Sequence, residues 1–201
     1  MATTSLTYKL TAYPRKVALR DQTEVVVKPM GPKDGPALLE FFKCITERER
    51  SYLQEDVTSP KVVNRWADEL DYDRALPLLA WVGDKVVADG TLHRKRAGAR
   101  KHLGEVRVVV DPDYRNRGIG TRMIQELTEI AYENDLERLY FELVADEEDD
   151  AIKAANFAGF SRLATLPNFV RDSSGRVHDL VVMELLLSQW KEWGRRESEQ
   201  F

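Results

Sequence analysis

Apolar residues recur along this chain with two periods, two and about 3.6 residues, and the switching between them predicts strands and helices in alternation. Residues 24–29 read as a strand rich in β-branched side chains. Residues 33–45 read as a helix carrying Ala37, Leu38, Phe41, Phe42 and Ile45 on one side, and residues 60–72 as a second with Val62, Val63, Trp66 and Leu70 at helical spacing. Residues 78–82 and 85–93 form a hairpin about Gly83-Asp84, which suits a tight turn. After a basic loop come a strand at 105–110, a helix at 118–134, a strand at 138–144 and a short helix at 149–158. Two strands close the pattern, 160–166 and 179–187, joined through Ser173-Ser174-Gly175. No repeat or low-complexity linker interrupts this order. Residues 1–201 are therefore expected to form one domain, with 1–23 as an N-terminal extension and 188–201 as a helical tail.

The densest chemistry lies at residues 105–120, EVRVVVDPDYRNRGIG, where an apolar strand ends in a turn and opens into a helix start bearing two glycines. Val106, Val108, Val109 and Val110 favour strand, and Asp111-Pro112 stops it. Gly118 and Gly120 remove side chains that would hold a ligand off the backbone. Amides exposed there, with the positive end of a helix dipole behind them, suit a pyrophosphate. Two phosphate-binding patterns fail. A dinucleotide fingerprint needs Gly or Ala where this chain has Met123, and a P-loop needs a Gly-Lys-Ser/Thr ending that is absent. The pattern that fits is Arg/Gln-x-x-Gly-x-Gly/Ala, met by Arg115, Gly118 and Gly120 after Val108-x-Val110-Asp111-Pro112-x-Tyr114.

That segment resembles the acetyl-CoA-binding motif of the GNAT superfamily of N-acetyltransferases, and the order of elements is similar to the order in that fold. The resemblance implies an α/β (α+β) architecture: a central mixed, mostly antiparallel sheet of about seven strands, flanked by helices and splayed at the acetyl-CoA site. It implies that the main chain around Val108, Val109 and Val110 holds the pantetheine arm as an added strand would. It implies also that the loop Arg115, Asn116, Arg117, Gly118, Ile119, Gly120 and Thr121 binds the pyrophosphate, foremost through the amides from Arg117 onward. The side chains of Arg115 and Arg117 either add charge to that site or are simply solvated.

A closer resemblance lies mostly upstream. Tyr13-Pro14, Val17-x-Leu19-x-Asp21, residues 25–29, Gly31-Pro32-x-Asp34, Phe41-Phe42 and Asp71-Tyr72-Asp73-Arg74 are similar to the acetyltransferase domain of bacterial Pat-type protein lysine acetyltransferases. Members of that group with an additional acyl-CoA-synthetase-like domain are longer than this chain, so regulation through such a domain is not carried over. An amine that attacks a thioester must be neutral, whereas a lysine amine, with a reference pKa of about 10.4, is protonated at pH 7. Glu105 aligns with the general-base glutamate of the Pat-type group, and a carboxylate among apolar neighbours would have a raised pKa and take the proton directly or through a water. Its plain alternative is a solvent-facing strand end. A backbone amide at or near Val110 is expected to stabilise the thioester oxygen.

The chain departs from the GNAT pattern after the fifth of its expected strands. The tyrosine that assists thiolate departure in many GNAT enzymes is replaced by Ala155, and the usual asparagine upstream by Glu148. The general acid is therefore unassigned, with Asn156 expected only as a hydrogen-bond donor to the pantetheine or the sulfur.

Composition narrows the rest. At 201 residues and 43% hydrophobic, the chain is long enough for a sizeable core. A formal net charge of -4 argues against a general nucleic-acid binder. No apolar run reaches membrane-span length and the N-terminus lacks the apolar core of a signal peptide, so no membrane association and a cytoplasmic location are expected. The single cysteine, Cys44, lies among Phe41, Phe42 and Ile45 and is expected in the core. His93, His102 and His178 lack metal-ligand spacing, so no metal is assigned. Trp190 and Trp193 suit packing against the sheet, a homodimer contact being the other reading. Glu47, Glu49, Glu55 and Asp56 in the 47–59 connection, and the hairpin at 169–178, are expected to face the acceptor.

The expected activity is acetyl-CoA-dependent transfer of an acetyl group to a primary amine, foremost a protein lysine such as one on an acyl-CoA synthetase. A small-molecule amine acetyltransferase acting on a polyamine or amino acid, and a non-catalytic acyl-CoA-binding sensor, are the open alternatives.

Overall fold

The strands and helices expected from the two periodicities occur in the expected order. In the computed structural model, which describes Tyr8 and residues 10–190, β1 (Arg15–Ala18) and β2 (Glu24–Pro29) lead into α1 (Gly35–Cys44), α2 (Glu47–Arg50) and α3 (Pro60–Asp68). Three strands follow, β3 (Ala75–Val82), β4 (Lys85–Arg94) and β5 (Leu103–Val110), and then α4 (Ile119–Glu133). The last elements are β6 (Arg138–Val144), α5 (Asp149–Phe157), β7 (Ser161–Arg171) and β8 (Val177–Leu186). Residues 187–190 turn helical, and the remainder of the tail expected at 188–201, Trp193 included, lies outside the described residues.

The mixed sheet expected with about seven strands has eight, in the order β1-β2-β3-β4-β5-β6-β8-β7. The additional strand is β1. Its four residues, RKVA, alternate too briefly to read as a strand, and become one because Arg15 to Ala18 pair with Val27 to Glu24. Two short elements in connections, α2 and a 3-10 turn at Pro112–Tyr114, are likewise visible only in the structure. β7 runs beyond its expected end to Arg171, past Pro167, because this edge strand accommodates irregular register opposite β8.

Helices cover the two faces unequally. On one face α4 packs on β3, β4 and β5 and touches α5, with Met123, Ile124, Leu127 and Ile130 in a core shared with Leu92, Val106, Leu139 and Phe141. On the other, α1 and α3 cover the first half of the sheet, where Leu38, Phe41, Phe42 and Val63 meet Leu79 and Val86. Leu38, Phe41, Phe42 and Ile45 fall at i, i+3, i+4 and i+7 and are all buried. Cys44 lies off that stripe and is exposed, with its Sγ donating to the Glu40 carbonyl, so the expectation that it belongs to the core is corrected by helix geometry.

One carboxylate sits half-buried in the middle of the sheet. Asp89 pairs across the sheet with Leu79 on one side and Val109 on the other, and burial pushes its carboxyl up to about 7. Between about pH 4 and pH 7 the folded chain keeps a proton that the unfolded chain releases, so this group costs stability as pH rises through that window. Asp89→Asn will therefore raise Tm relative to the parent at pH 8 and leave it nearly unchanged at pH 4, as thermal melts at the two pH values will show.

Candidate active site

The two middle strands of the sheet meet at one end only. β5 pairs with β6 in parallel through Leu103, Gly104 and Glu105 opposite Arg138, Leu139 and Tyr140, and there the pairing stops. Beyond it, Val106–Val110 stay paired with β4 and Phe141–Val144 with β8, while the edges facing each other have no strand partner among the described residues. Gly104 lies at the closed end. A Cβ there would come within 2.7 Å of Leu139 Cδ2, 2.9 Å of Leu92 Cδ1 and 3.0 Å of Leu136 Cδ1, so any larger residue would have to displace the ends of three buried leucines. The result is a V whose open edges offer main-chain groups to an inserted extended ligand, as the splay expected at the acetyl-CoA site requires.

At the wide end of β5 the chain builds an amide cradle. The Asp111 carboxylate accepts from the Asp113 amide, and the 3-10 turn delivers the chain to Asn116 and Gly118, both at positive φ, 59° and 90°. This alternation of backbone hand tips successive N–H groups to one side. Among the described residues, none of the N–H groups from Asn116 to Thr121 has an acceptor within the chain. They precede a helix of 15 residues, whose dipole adds to their positive potential. Gly118 is required by its backbone angle. A Cβ at Gly120 would meet only Val110 Cγ2 at an ordinary 3.6 Å, which agrees with a pattern that accepts alanine there.

The two motif arginines are neither free nor merely solvated. Arg115 donates to the Val110 carbonyl from Nε at 3.2 Å and Nη2 at 3.1 Å, and pairs with Glu49 of α2 at 2.6 Å. Arg117 pairs with Asp21 at 3.0 Å, donates to the Asp113 carbonyl at 2.8 Å and lies over the Tyr114 ring. Both brace the loop that displays the amides.

Polar groups align across the closed end of the V. In register lie His93 on β4, Glu105 on β5, Tyr140 on β6 and Glu184 on β8. Tyr140 Oη donates to Glu105 Oε2 at 3.0 Å, and Arg107 Nε donates to Oε1 at 2.6 Å. Glu105 is thus held between a phenol and a guanidinium, not among apolar neighbours, and its side chain keeps 18% exposure. Burial, then the Glu105 charge, pushes Tyr140 up to about 12. Burial, then Arg107, holds His93 down at about 4, so the imidazole is neutral at pH 7. Tyr140 and Arg107 were not legible as site residues, since their place depends on which strands become neighbours.

A V-shaped split lies beside a glycine-bearing amide cradle. Residues 39–160 match the model of the acetyltransferase (GNAT) family. The chain belongs to that family. It is similar to a GNAT-family acetyltransferase from Streptococcus pneumoniae, with a TM-score of 0.71 at 19% identity, covering 81% of this chain and 99% of that one. The GNAT domain of S. lividans PAT superposes at 0.70 with 22% identity, over 86% of this chain and 96% of that one. An acetyltransferase from Salmonella typhimurium, solved with its cofactor acetyl-CoA, superposes at 0.69 with 16% identity, over 81% and 94%. A search of curated proteins finds no match.

As a GNAT acetyltransferase, the chain uses acetyl-CoA, and both the split and the cradle fit that cosubstrate. The helix that carries an acid tyrosine in many GNAT enzymes offers none here: Ala155 of α5 is fully buried in the core, and Asn156 beside it is exposed. Glu148 folds back to accept from the Val144 amide at 2.6 Å, its carboxyl raised by burial. In the 47–59 connection three of the four acidic residues, Glu49, Glu55 and Asp56, are engaged within the chain. Glu55 accepts from Arg65 and from Trp66 Nε1, Asp56 accepts from the Thr58 amide and hydroxyl, and Glu49 pairs with Arg115. Arg48 joins α2 to Glu147, just beyond β6, so α2 links the two arms of the V at its open end. Among the described residues, no group of three or more His, Cys, Asp or Glu is arranged to hold a metal ion, and no helix is long and apolar enough to cross a membrane.

Proposed function

We propose that this GNAT acetyltransferase transfers the acetyl group of acetyl-CoA to a primary amine, foremost the side chain of a protein lysine, with Glu105 as general base. The observation that carries the reading is the placement of Glu105 at the last paired position of the V, with Tyr140 facing it from the other arm. The amine nitrogen attacks the thioester carbonyl carbon, the C–S bond breaks, and the ammonium proton passes to the Glu105 carboxylate. Charge gathering on the carbonyl oxygen meets N–H groups on the inner edge of β5. Tyr140 gives its proton to the departing thiolate and regains one from Glu105, so the phenol replaces the tyrosine that α5 lacks. Once Glu105 is protonated, the charge that opposes Tyr140 ionisation is gone, and the phenol becomes a stronger acid when it is needed.

A cationic acceptor suits the surroundings. Glu105, Glu142, Glu184 and Asp89 lie on strand positions of one sheet face, and α1 and α3 pack over only its first half. Desolvation, then the Glu105 charge, raises the Glu142 carboxyl against the opposing Arg107, and a lysine ammonium nearby would favour its ionised form. Apolar Phe169, 66% exposed on the β7–β8 hairpin, would offer a protein acceptor a contact beyond the lysine itself. The similarity to Pat-type sequences upstream of the motif supports the same choice. The test is thiol release from acetyl-CoA with lysine peptides, an AMP-forming acyl-CoA synthetase and free polyamines as acceptors. Turnover with the proteinaceous lysines is expected. Turnover with polyamines alone would move the acceptor to small amines, and CoA binding without any transfer would make the chain a sensor.

A further inference from the structure

The β1–β2 hairpin, which precedes the residues matched to the family, touches the amide cradle. Its turn is fixed by hydrogen bonds from Leu19 N to Thr23 O at 2.9 Å and from the Thr23 amide to the Asp21 carboxylate at 3.1 Å. The hairpin is pinned to α4 by Tyr13, which donates to the buried Glu126 at 2.6 Å, and by Arg15, which pairs with Glu126 and Glu129. At the tip, Arg20 N donates to the Arg117 carbonyl at 3.3 Å, and Asp21 takes the Arg117 guanidinium.

This places the Arg20 side chain over Gly118. Its Nε and Cγ lie 3.5 and 3.6 Å from the point where a Gly118 Cβ would stand. The other arginines around the start of α4 are all committed: Arg15 to Glu126 and Glu129, Arg115 to Glu49 and Val110 O, Arg117 to Asp21 and Asp113 O, Arg122 to Glu126. Among the described residues, the Arg20 guanidinium alone of this group has no hydrogen-bond or ion-pair partner. It sits beside amides from Asn116 to Thr121 that also lack acceptors. An unpaired fork of donors next to a row of unpaired donors is a site for one anionic group with several oxygens.

We propose that Arg20 is a ligand of the acetyl-CoA pyrophosphate, so that the N-terminal hairpin supplies a charge-assisted contact to a site otherwise built from backbone amides. The proposal rests on the acetyl-CoA use established for the family, not on the choice of acceptor or base. Asp21 has a separate part: by holding Arg117 it keeps that residue's charge from competing for the ligand and leaves Arg20 as the available cation.

The test is calorimetric titration of the full chain and of Arg20→Ala and Arg20→Lys with CoA and with 3′-dephospho-CoA, alongside thermal melts. Arg20→Ala should weaken both ligands by about tenfold or more, since both keep the pyrophosphate, and Arg20→Lys should recover part of the loss. Tm should hold, because Arg20 is exposed and bonds nothing with its side chain. Unchanged affinity for CoA in Arg20→Ala would overturn the proposal. A loss confined to CoA would also overturn it, by moving the contact to the 3′-phosphate. Failure of the unaltered chain to bind CoA would remove the acetyl-CoA site itself, a result distinct from either.

Discussion

Glutamine at position 105 will lower kcat for acetyl transfer by about 10²- to 10⁴-fold while leaving the affinity for CoA nearly unchanged. The amide keeps the size of the side chain, and its one oxygen can still accept from one of the two donors, Tyr140 and Arg107, that hold the Glu105 oxygens at 3.0 and 2.6 Å. What it loses is affinity for a proton. Steady-state thiol release under saturating acetyl-CoA and lysine peptide, with a parallel CoA titration, separates the two effects. An undiminished kcat would show that deprotonation of the amine does not depend on this carboxylate. Tyr140→Phe gives the companion result. Its deficit should be large with acetyl-CoA and shrink with an acetyl thioester of a more acidic thiol, because a leaving group that departs as a stable thiolate needs no proton. Equal deficits with the two donors would confine Tyr140 to positioning Glu105.

The largest effect on stability is expected at the junction of β1 and α4. Glu126 has no exposed side-chain surface and is compensated by Arg15 at 3.0 Å, Arg122 at 2.5 Å and the Tyr13 hydroxyl at 2.6 Å. Removing both cations with Arg15→Ala and Arg122→Ala leaves a buried carboxylate with one phenol. The cost should be about 3–5 kcal/mol, a fall in Tm on the order of 10 °C. Adding Glu126→Leu to that pair should recover much of the loss, since an apolar side chain needs no compensation there. If the triple variant is no more stable than the double, the damage comes from lost packing of the arginine stems and not from the stranded charge. The double variant should also weaken CoA binding, because the same contacts hold the hairpin that carries Arg20 to the cradle.

The cradle was open to reading because it is local. Asp111-Pro112, Gly118 and Gly120 act within one turn of chain, so strand end, turn and helix start follow from residues that are neighbours in sequence. Glu105 is legible by its match to a family pattern, but its polar surroundings are not. The apolar setting expected from its valine neighbours fails because alternate strand residues face opposite sides, and its own face carries Arg107, Tyr140 and His93. Cys44 was misplaced for a similar reason, since adjacency to Phe41, Phe42 and Ile45 in sequence is not adjacency on the helix surface. β1 escaped notice because four residues carry no period of their own and gain their hydrogen bonds from β2.

The sequence by itself determined the periodicities, hence the order of strands and helices, and the amide cradle, whose turn chemistry spans about a dozen residues. Tertiary structure alone decided which residues meet across the V. Parallel pairing of β5 with β6 stops at Glu105 and Tyr140, residues separated by 35 positions, while each strand keeps its outer partner beyond that point. It decided likewise that Arg20 lies over Gly118. That contact depends on a hairpin folding back onto a helix about a hundred residues away, held there by Tyr13 and Arg15 on the buried Glu126 carboxylate. Local patterning follows from short-range sterics and hydrogen bonding, whereas these contacts follow from how the layers pack.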